Sequence, residues 1–288
     1  MRDLARACVG TKELERRERQ ENFPVALRVL PAAHREAMHA VYAFARTVDE
    51  LGDSYPGNRT VALIGFAADL DRIWAGDVPE HPVLRNLRPI VLAKGLPADP
   101  FRSLVQANVQ DQMALRYATF DDLLGYCRLS ADPVGRIVLA LFGVDDEVTA
   151  ALSDRVCTAL QLLEHWQDVA EDRRAGRVYL PQEDLARYDV PEDDLDRPRA
   201  TEALRRLMMF EIDRAAAILE EGLDIVPRLQ GWARVSVAGF AAGGQATVRA
   251  LRRTGGDVLA HQARPSRSGT ALAAMRLLAQ PFAKGGPR

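Results

Sequence analysis

The chain has 288 residues, 48% hydrophobic and 27% charged, the balance of a globular protein and not of a disordered one. Lys and Arg number 38 against 40 Asp and Glu, so the formal charge is −2, which excludes a global nucleic-acid footprint. The three cysteines, Cys8, Cys127 and Cys157, are too few and too scattered for a disulfide framework or a paired-cysteine zinc site, and they fit a reducing cytoplasm.

In chain order, the first residues carry charges on both sides of any apolar stretch and do not read as a signal peptide. Apolar residues at three- and four-residue steps (Ala37, Val41, Phe44, Ala45, Val48) predict a helix over Ala32–Val48, with Pro31 at its entrance. A second helix is predicted over Val61–Trp74, after the turn Pro56-Gly57-Asn58. Further helices are predicted over Pro100–Leu115, Phe120–Leu129, Pro133–Phe142, Glu147–Asp172, Arg199–Ile225 and Trp232–Arg253. No alternating strand or tight hairpin stands out; the one β-like scrap is Arg177–Leu180. The least regular internal stretch, Arg173–Pro198, reads as a long loop inside one all-α domain. Val235–Val248 is charge-free but has only 14 residues, three of them glycine, short of the roughly 18 needed to span a bilayer.

After Leu251 seven cations face Asp257 alone, a net of +6, and Thr270–Gln280 is small and apolar around Arg276. This stretch reads either as a solvated, partly flexible terminus or as a surface helix leaning on anionic lipid. The expected organisation is an N-terminal extension (1–19), an all-α domain (20–255) and a basic tail (256–288).

Two acidic pairs carry the chemical signal. In Tyr42-Ala-Phe-Ala-Arg46-Thr-Val-Asp49-Glu50-Leu-Gly-Asp53, Asp49 and Asp53 are four apart, on one helical face with Arg46 and Tyr42. Like charges at this spacing repel, and the C-terminal pole of a helix disfavours anions, so the arrangement suits a bound cation or, more plainly, a solvated helix end. The second pair, Asp168 and Asp172, lies on a polar stripe with Gln161, Glu164 and His165, while Leu162, Leu163, Trp166 and Val169 make the apolar side. Carboxylates from two helices suit a hard, oxygen-loving cation such as Mg²⁺, which keeps waters and is completed by substrate phosphates. Zinc is disfavoured, because neither stripe offers Cys. Gly176-Arg177-Val178-Tyr179-Leu180-Pro181 follows directly and reads either as a hinge closing over phosphate or as loop packing. No GxGxxG, P-loop or nucleophile motif is present.

Four stretches in order resemble the squalene/phytoene synthase family, the head-to-head trans-isoprenyl diphosphate synthases: Tyr42–Asp53, Tyr126–Gly135, Gln161–Asp172 and Gly176–Pro181. The resemblance runs from about residue 20 to 260. Glu21-Asn22-Phe23-Pro24-Val25 and Trp166-Gln167-Asp168-Val169 are most similar to the bacterial hopanoid-pathway branch, which resembles hydroxysqualene synthases. The resemblance implies an all-α isoprenoid-synthase bundle around a central cavity. It implies Mg²⁺ held by Asp49, Glu50, Asp53, Asp168 and Asp172. Asn22, Phe23, Arg46, Arg177 and Tyr179 would bind the isoprenoid diphosphate, and Tyr42, Arg46, Tyr126, Gln161 and Glu164 would act in catalysis. The implied reaction takes presqualene diphosphate and water to hydroxysqualene and diphosphate. The alternatives are condensation of two farnesyl diphosphates to presqualene diphosphate or squalene, and a non-catalytic lipid- or partner-binding helical protein. A sister presqualene diphosphate synthase and peripheral contact at the inner face of the membrane complete the expectation. Four departures stand against the family pattern: Glu50 for an adjacent aspartate, Leu163 for a common threonine, Glu164 for asparagine, and Gln167 for the arginine common in condensing enzymes.

Overall fold

The computed structural model describes residues 30–261 and 263–282. The expected substrate-binding residues Asn22 and Phe23 lie outside them. Among the described residues there are helices and no β-strand; the extended scrap at Arg177–Leu180 contributes one isolated bridge, Arg116 to Val178. No helix among them is long and apolar enough to cross a membrane. The chain divides into two compact units, residues up to 113 with 133–145, and 114–132 with 146 onward.

The first unit is built from α1 (Ala32–Asp53), α2 (Arg59–Ala75), α3 (Pro82–Lys94) and α4 (Asp99–Gln110), with most of α6 (Asp132–Leu141). α1 runs one turn beyond its predicted end, through Asp53, because Leu51 and Gly52 continue its buried face. α2 starts where the Asn58 side chain accepts from the Val61 N–H and stops at Gly76 in the left-handed region (φ 90°). α3 was not apparent from periodicity, because Pro89 interrupts it; the proline sits on the exposed side, where the lost N–H leaves the packed face intact. Phe44 is fully buried, with Phe66 stacked at 5.9 Å and Phe101 edge-on at 5.2 Å. α4 ends five residues before its predicted limit; beyond Met113 the carbonyls of Leu115 and Tyr117 instead accept from the N–H groups of Val178 and Gln182.

The second unit contains α5 (Phe120–Ser130), α7 (Glu147–Arg174), α8 (Gln182–Arg187), α9 (Glu202–Gly222), α10 (Gly231–Arg253) and α11 (Arg267–Leu278). Thr119 and Asp122 close a reciprocal capping box at the start of α5. α7, 28 residues long, packs on α9 at a close approach: a Cβ on Gly222 would lie 2.8 Å from Val156 Cγ2 and 3.0 Å from the Leu152 carbonyl oxygen. α9 then tightens into a 3₁₀ turn over Leu223–Arg228. The charge-free run Val235–Val248 is core: most of its Ala, Gly and Val residues are buried in α10, and a Cβ on Gly244 would meet Leu160 Cδ2 at 2.8 Å. The irregular stretch after α7 is held by ion pairs. Arg116 grips Glu192 through two hydrogen bonds of 2.8 and 2.6 Å, and Arg173 bonds to Asp196 at 2.8 and 2.7 Å and also to Glu192. α11 spans most of Thr270–Gln280.

Candidate active site

In the first unit, Tyr42, Arg46, Asp49 and Asp53 fall at steps of four, three and four along α1, one stripe ending at its C-terminus. The carboxylates stand at the negative pole of the helix, whose own last turn contains no basic residue. α4 and the turn after it contact this end. Asn108 Nδ2 donates to Asp49 Oδ1 at 3.3 Å. Gln112 Nε2 donates to the carbonyls of Gly52 and Asn108, each at 3.0 Å. Gly52 permits the contact, since a Cβ there would lie 2.4 Å from Asn108 Oδ1. Arg46 Nε sits 3.7 Å from Glu50 Oε1 and makes no hydrogen bond. Asn108 and Gln112 were missed from the sequence; the available signal was two amides four apart beside the buried residues Leu104, Val105 and Ala107.

In the second unit the C-terminal half of α7 meets the segment after it. Gly176, at φ 83°, turns the chain out of the helix, and Arg116 Nη1 donates to its carbonyl at 2.6 Å. The Arg177 N–H returns to the Asp172 carbonyl at 2.8 Å, and the Val178 N–H bonds to the Leu115 carbonyl at 3.0 Å. This places the Tyr179 ring parallel to the His165 ring, with centroids 3.7 Å apart and planes at 13°. Tyr126 lies 5.8 Å from Tyr179 and 6.1 Å from His165, and Tyr117 packs on both tyrosines. A small cavity opens here, lined among others by His165, Val169, Asp172, Arg177, Tyr179 and Leu195. Tyr117, Arg116 and Leu195 were not predicted; their elements come from sequence regions remote from the acidic stripe.

Electrostatics separate the roles of these groups. Burial, with the Arg177 charge beside it, pushes the His165 pKa down to about 3, so the imidazole is neutral. Gln161 Nε2 lies 3.1 Å from His165 Nε2. With the amide nitrogen as donor, Nε2 accepts and Nδ1 carries the hydrogen, 3.9 Å from Asp172 Oδ2. Burial and the nearby Glu171 raise the Asp168 pKa. Gln167 Nε2 donates to the Ala263 carbonyl at 2.6 Å and so ties α7 to the C-terminal segment. Glu164 is exposed and is not part of the cavity lining.

Thus Tyr126, Gln161, Asp172, Arg177 and Tyr179 come together around His165, whereas Tyr42, Arg46, Asp49, Glu50 and Asp53 belong to the other unit. Among the described residues no three His, Cys, Asp or Glu side chains form a cluster able to hold a metal ion alone. The carboxylates occur as pairs on helix ends, a donor set that fits Mg²⁺ when waters and phosphate oxygens supply the remaining ligands.

The family model for squalene/phytoene synthase matches residues 16–269. A hydroxysqualene synthase from Rhodopseudomonas palustris is 31% identical over 74% of this chain and 73% of its own. A 15-cis-phytoene synthase from Synechococcus elongatus is 32% identical over 70% of each. Among solved structures, squalene synthase HpnC from Alicyclobacillus acidocaldarius superimposes with a TM-score of 0.78 at 39% identity, covering 85% of this chain and 93% of that one. A ligand-bound dehydrosqualene synthase, at 23% identity and a TM-score of 0.82, shares the fold. The helical architecture and the ordered motifs therefore have one explanation: the chain belongs to the squalene/phytoene synthase family.

Proposed function

We propose that this isoprenoid synthase converts presqualene diphosphate and water to hydroxysqualene and diphosphate. The observation that carries the choice is Gln167. Condensing relatives commonly have an arginine at this position; here a neutral amide stands there and is bound to the Ala263 carbonyl at 2.6 Å. The position therefore offers no cation to a second diphosphate. Similarity to a hydroxysqualene synthase supports the same reading.

Asp49, Asp53, Asp168 and Asp172, with Glu50 once it leaves Arg46, would hold Mg²⁺. Bound magnesium would neutralise the diphosphate and make it a competent leaving group. Arg46 and Arg177 donate charge-assisted hydrogen bonds to diphosphate oxygens. The C–O bond breaks with its electron pair leaving on diphosphate, and the cyclopropylcarbinyl cation left behind is stabilised by the faces of Tyr42, Tyr126 and Tyr179. Gln161, beside His165, is suited to place the capturing water, whose proton passes to the released diphosphate as the carbinol forms; Glu164 shares that stripe but is exposed outside the cavity lining. His165 stays neutral, so it adds no positive charge to repel that cation. A sister presqualene diphosphate synthase would supply the substrate. Peripheral contact with the inner membrane face is part of the same reading, because the substrate has long hydrocarbon chains and the product is an oil.

The second reading is condensation of two prenyl diphosphates, favoured by the similar identity to phytoene synthases. Product identification from presqualene diphosphate and, separately, farnesyl diphosphate, each with and without Mg²⁺ and NADPH, distinguishes them. Hydroxysqualene from the first substrate alone is the expected result. Turnover of farnesyl but not presqualene diphosphate overturns the proposal.

A further inference from the structure

α11 is apolar on two opposite sides. Ala273 and Leu277 are buried, and α11 is seated against α10. Its seat is fixed at both ends. Ser266 caps the first turn, and Arg249 Nη2 donates to the Gly269 carbonyl at 3.3 Å. At the other end the buried Arg234 donates through Nη2 to the carbonyls of Leu278 and Gln280, at 3.1 and 2.5 Å, with its guanidinium 4.1 Å from the Phe282 ring. The helix is therefore docked in one rotation, and that rotation points a second apolar stripe outward. Leu272 is 46% exposed, Met275 60% and Phe282 61%, with Ala271 and Ala279 between and beside them.

A docked helix with an apolar outer face leaves that face for another phase or partner. Charge decides which. Arg249, Arg253, Arg264, Arg267 and Arg276 are exposed on or around α11, and the sequence contains no Asp or Glu after Asp257. The helix and the chain after Asp257 thus bring arginine and no acid to the surroundings of Leu272, Met275 and Phe282; Asp224, exposed on the 3₁₀ turn that α11 also touches, is outnumbered by these arginines, and the local excess is complementary to an anionic lipid surface. We infer that α11 and the residues through Phe282 form the membrane-docking surface of this protein, inserting Leu272, Met275 and Phe282 into an anionic leaflet while the surrounding arginines bind its headgroups. The interaction is peripheral, because α11 stays packed on α10. This deepens the membrane contact proposed above, and its test uses no turnover.

The full chain is sedimented with vesicles of phosphatidylcholine alone and of an equimolar phosphatidylcholine–phosphatidylglycerol mixture. It pellets with the mixture, weakly or not at all with phosphatidylcholine, and less as salt rises. Leu272→Glu with Met275→Glu lowers the partition coefficient by roughly tenfold or more while the melting temperature changes little, since Met275 is mostly and Leu272 about half in solvent. Arg267→Glu with Arg276→Glu lowers it by a roughly fivefold factor or more per site. The inference is overturned if the wild-type chain stays in the supernatant with the anionic vesicles, or if the Leu272/Met275 variant pellets like wild type. It is also overturned if the outer stripe mediates dimerisation, seen as a concentration-dependent dimer that the variant loses without any vesicle binding by wild type. A chain that binds vesicles but does not turn over presqualene diphosphate leaves the docking surface standing and removes the reaction assignment; the reverse result does the opposite.

Discussion

Glu211, in the middle of α9, is fully buried, and the side-chain acceptor it meets is the Asp184 carboxyl, to which it can donate only when protonated. The nearest cation, Arg214 Nη1, lies 3.5 Å from Oε1. That guanidinium is already engaged: it bonds both oxygens of the buried Asp184 at 2.9 and 3.3 Å and lies 4.1 and 4.3 Å from the rings of Phe120 and Phe210. Burial is the main reason the Glu211 pKa rises from 4.5 to about 8; Asp184 and Glu183 push the same way, and Arg214 opposes them. The native state thus holds a proton that the unfolded chain releases, so stability falls as pH rises from about 4.5 to about 8 and is level above that. Raising a carboxyl from 4.5 to about 8 corresponds to on the order of 5 kcal/mol across the window. Glu211→Gln keeps the shape and removes the titration. We expect the variant to match wild type near pH 5 and to melt higher at pH 8.5, by on the order of 5–10 °C at about 2 °C per kcal/mol. Thermal unfolding of both proteins across this range is the assay. A melting-temperature difference that does not grow between pH 5 and 8 refutes the reasoning.

Three further outcomes follow from the site and its supports. Gly222→Ala forces a Cβ against Val156 Cγ2 at 2.8 Å and the Leu152 carbonyl at 3.0 Å, so urea unfolding should show a loss of about 1–3 kcal/mol. Asp49→Asn and Asp168→Asn should each lower Mg²⁺-dependent diphosphate release by about 100-fold or more with the fold retained by circular dichroism; turnover at the wild-type rate would remove that aspartate from the site. His165→Phe keeps a ring against Tyr179 but loses the Gln161 and Asp172 contacts. It should raise the Mg²⁺ concentration for half-maximal activity by roughly tenfold or more. It should leave the pH profile above pH 5 unchanged, because the imidazole is already neutral there.

Helical periodicity located most elements because a single stripe of each faces its unit's core, as with Val41, Phe44 and Val48 on α1. It failed where the local signal and the packing disagreed. α3 hides behind Pro89, whose cost falls on the solvent side. α11 has too little contrast between its faces to show a period, because both are apolar. Arg173–Pro198 looked like loop because its order comes from long-range pairs, Arg116 with Glu192 and Arg214 with Asp184, which no local window contains. The acidic stripes were legible because DxxxD is a local, unfavourable pattern that stands out. Their supports, Asn108 and Gln112 on one side and Tyr117 on the other, were not, because they come from remote segments.

Those supports share a chemistry. The Asp49 end of α1 is held by two neutral amides, and the acidic end of α7 by a neutral imidazole oriented by a third amide. These donors orient the carboxylates without adding positive charge of their own, so they do not compete with a divalent cation. Arginine is present as well: Arg46 lies by Glu50, Arg177 lines the cavity with Asp172, and Arg173 binds Glu192 and Asp196 at the C-terminal end of α7. If a neutral donor is what Asp49 requires, Asn108→Asp, which has the same shape and adds a charge beside Asp49, should disturb metal-dependent turnover more than Asn108→Ala does. The opposite order would mean that Asn108 serves packing alone.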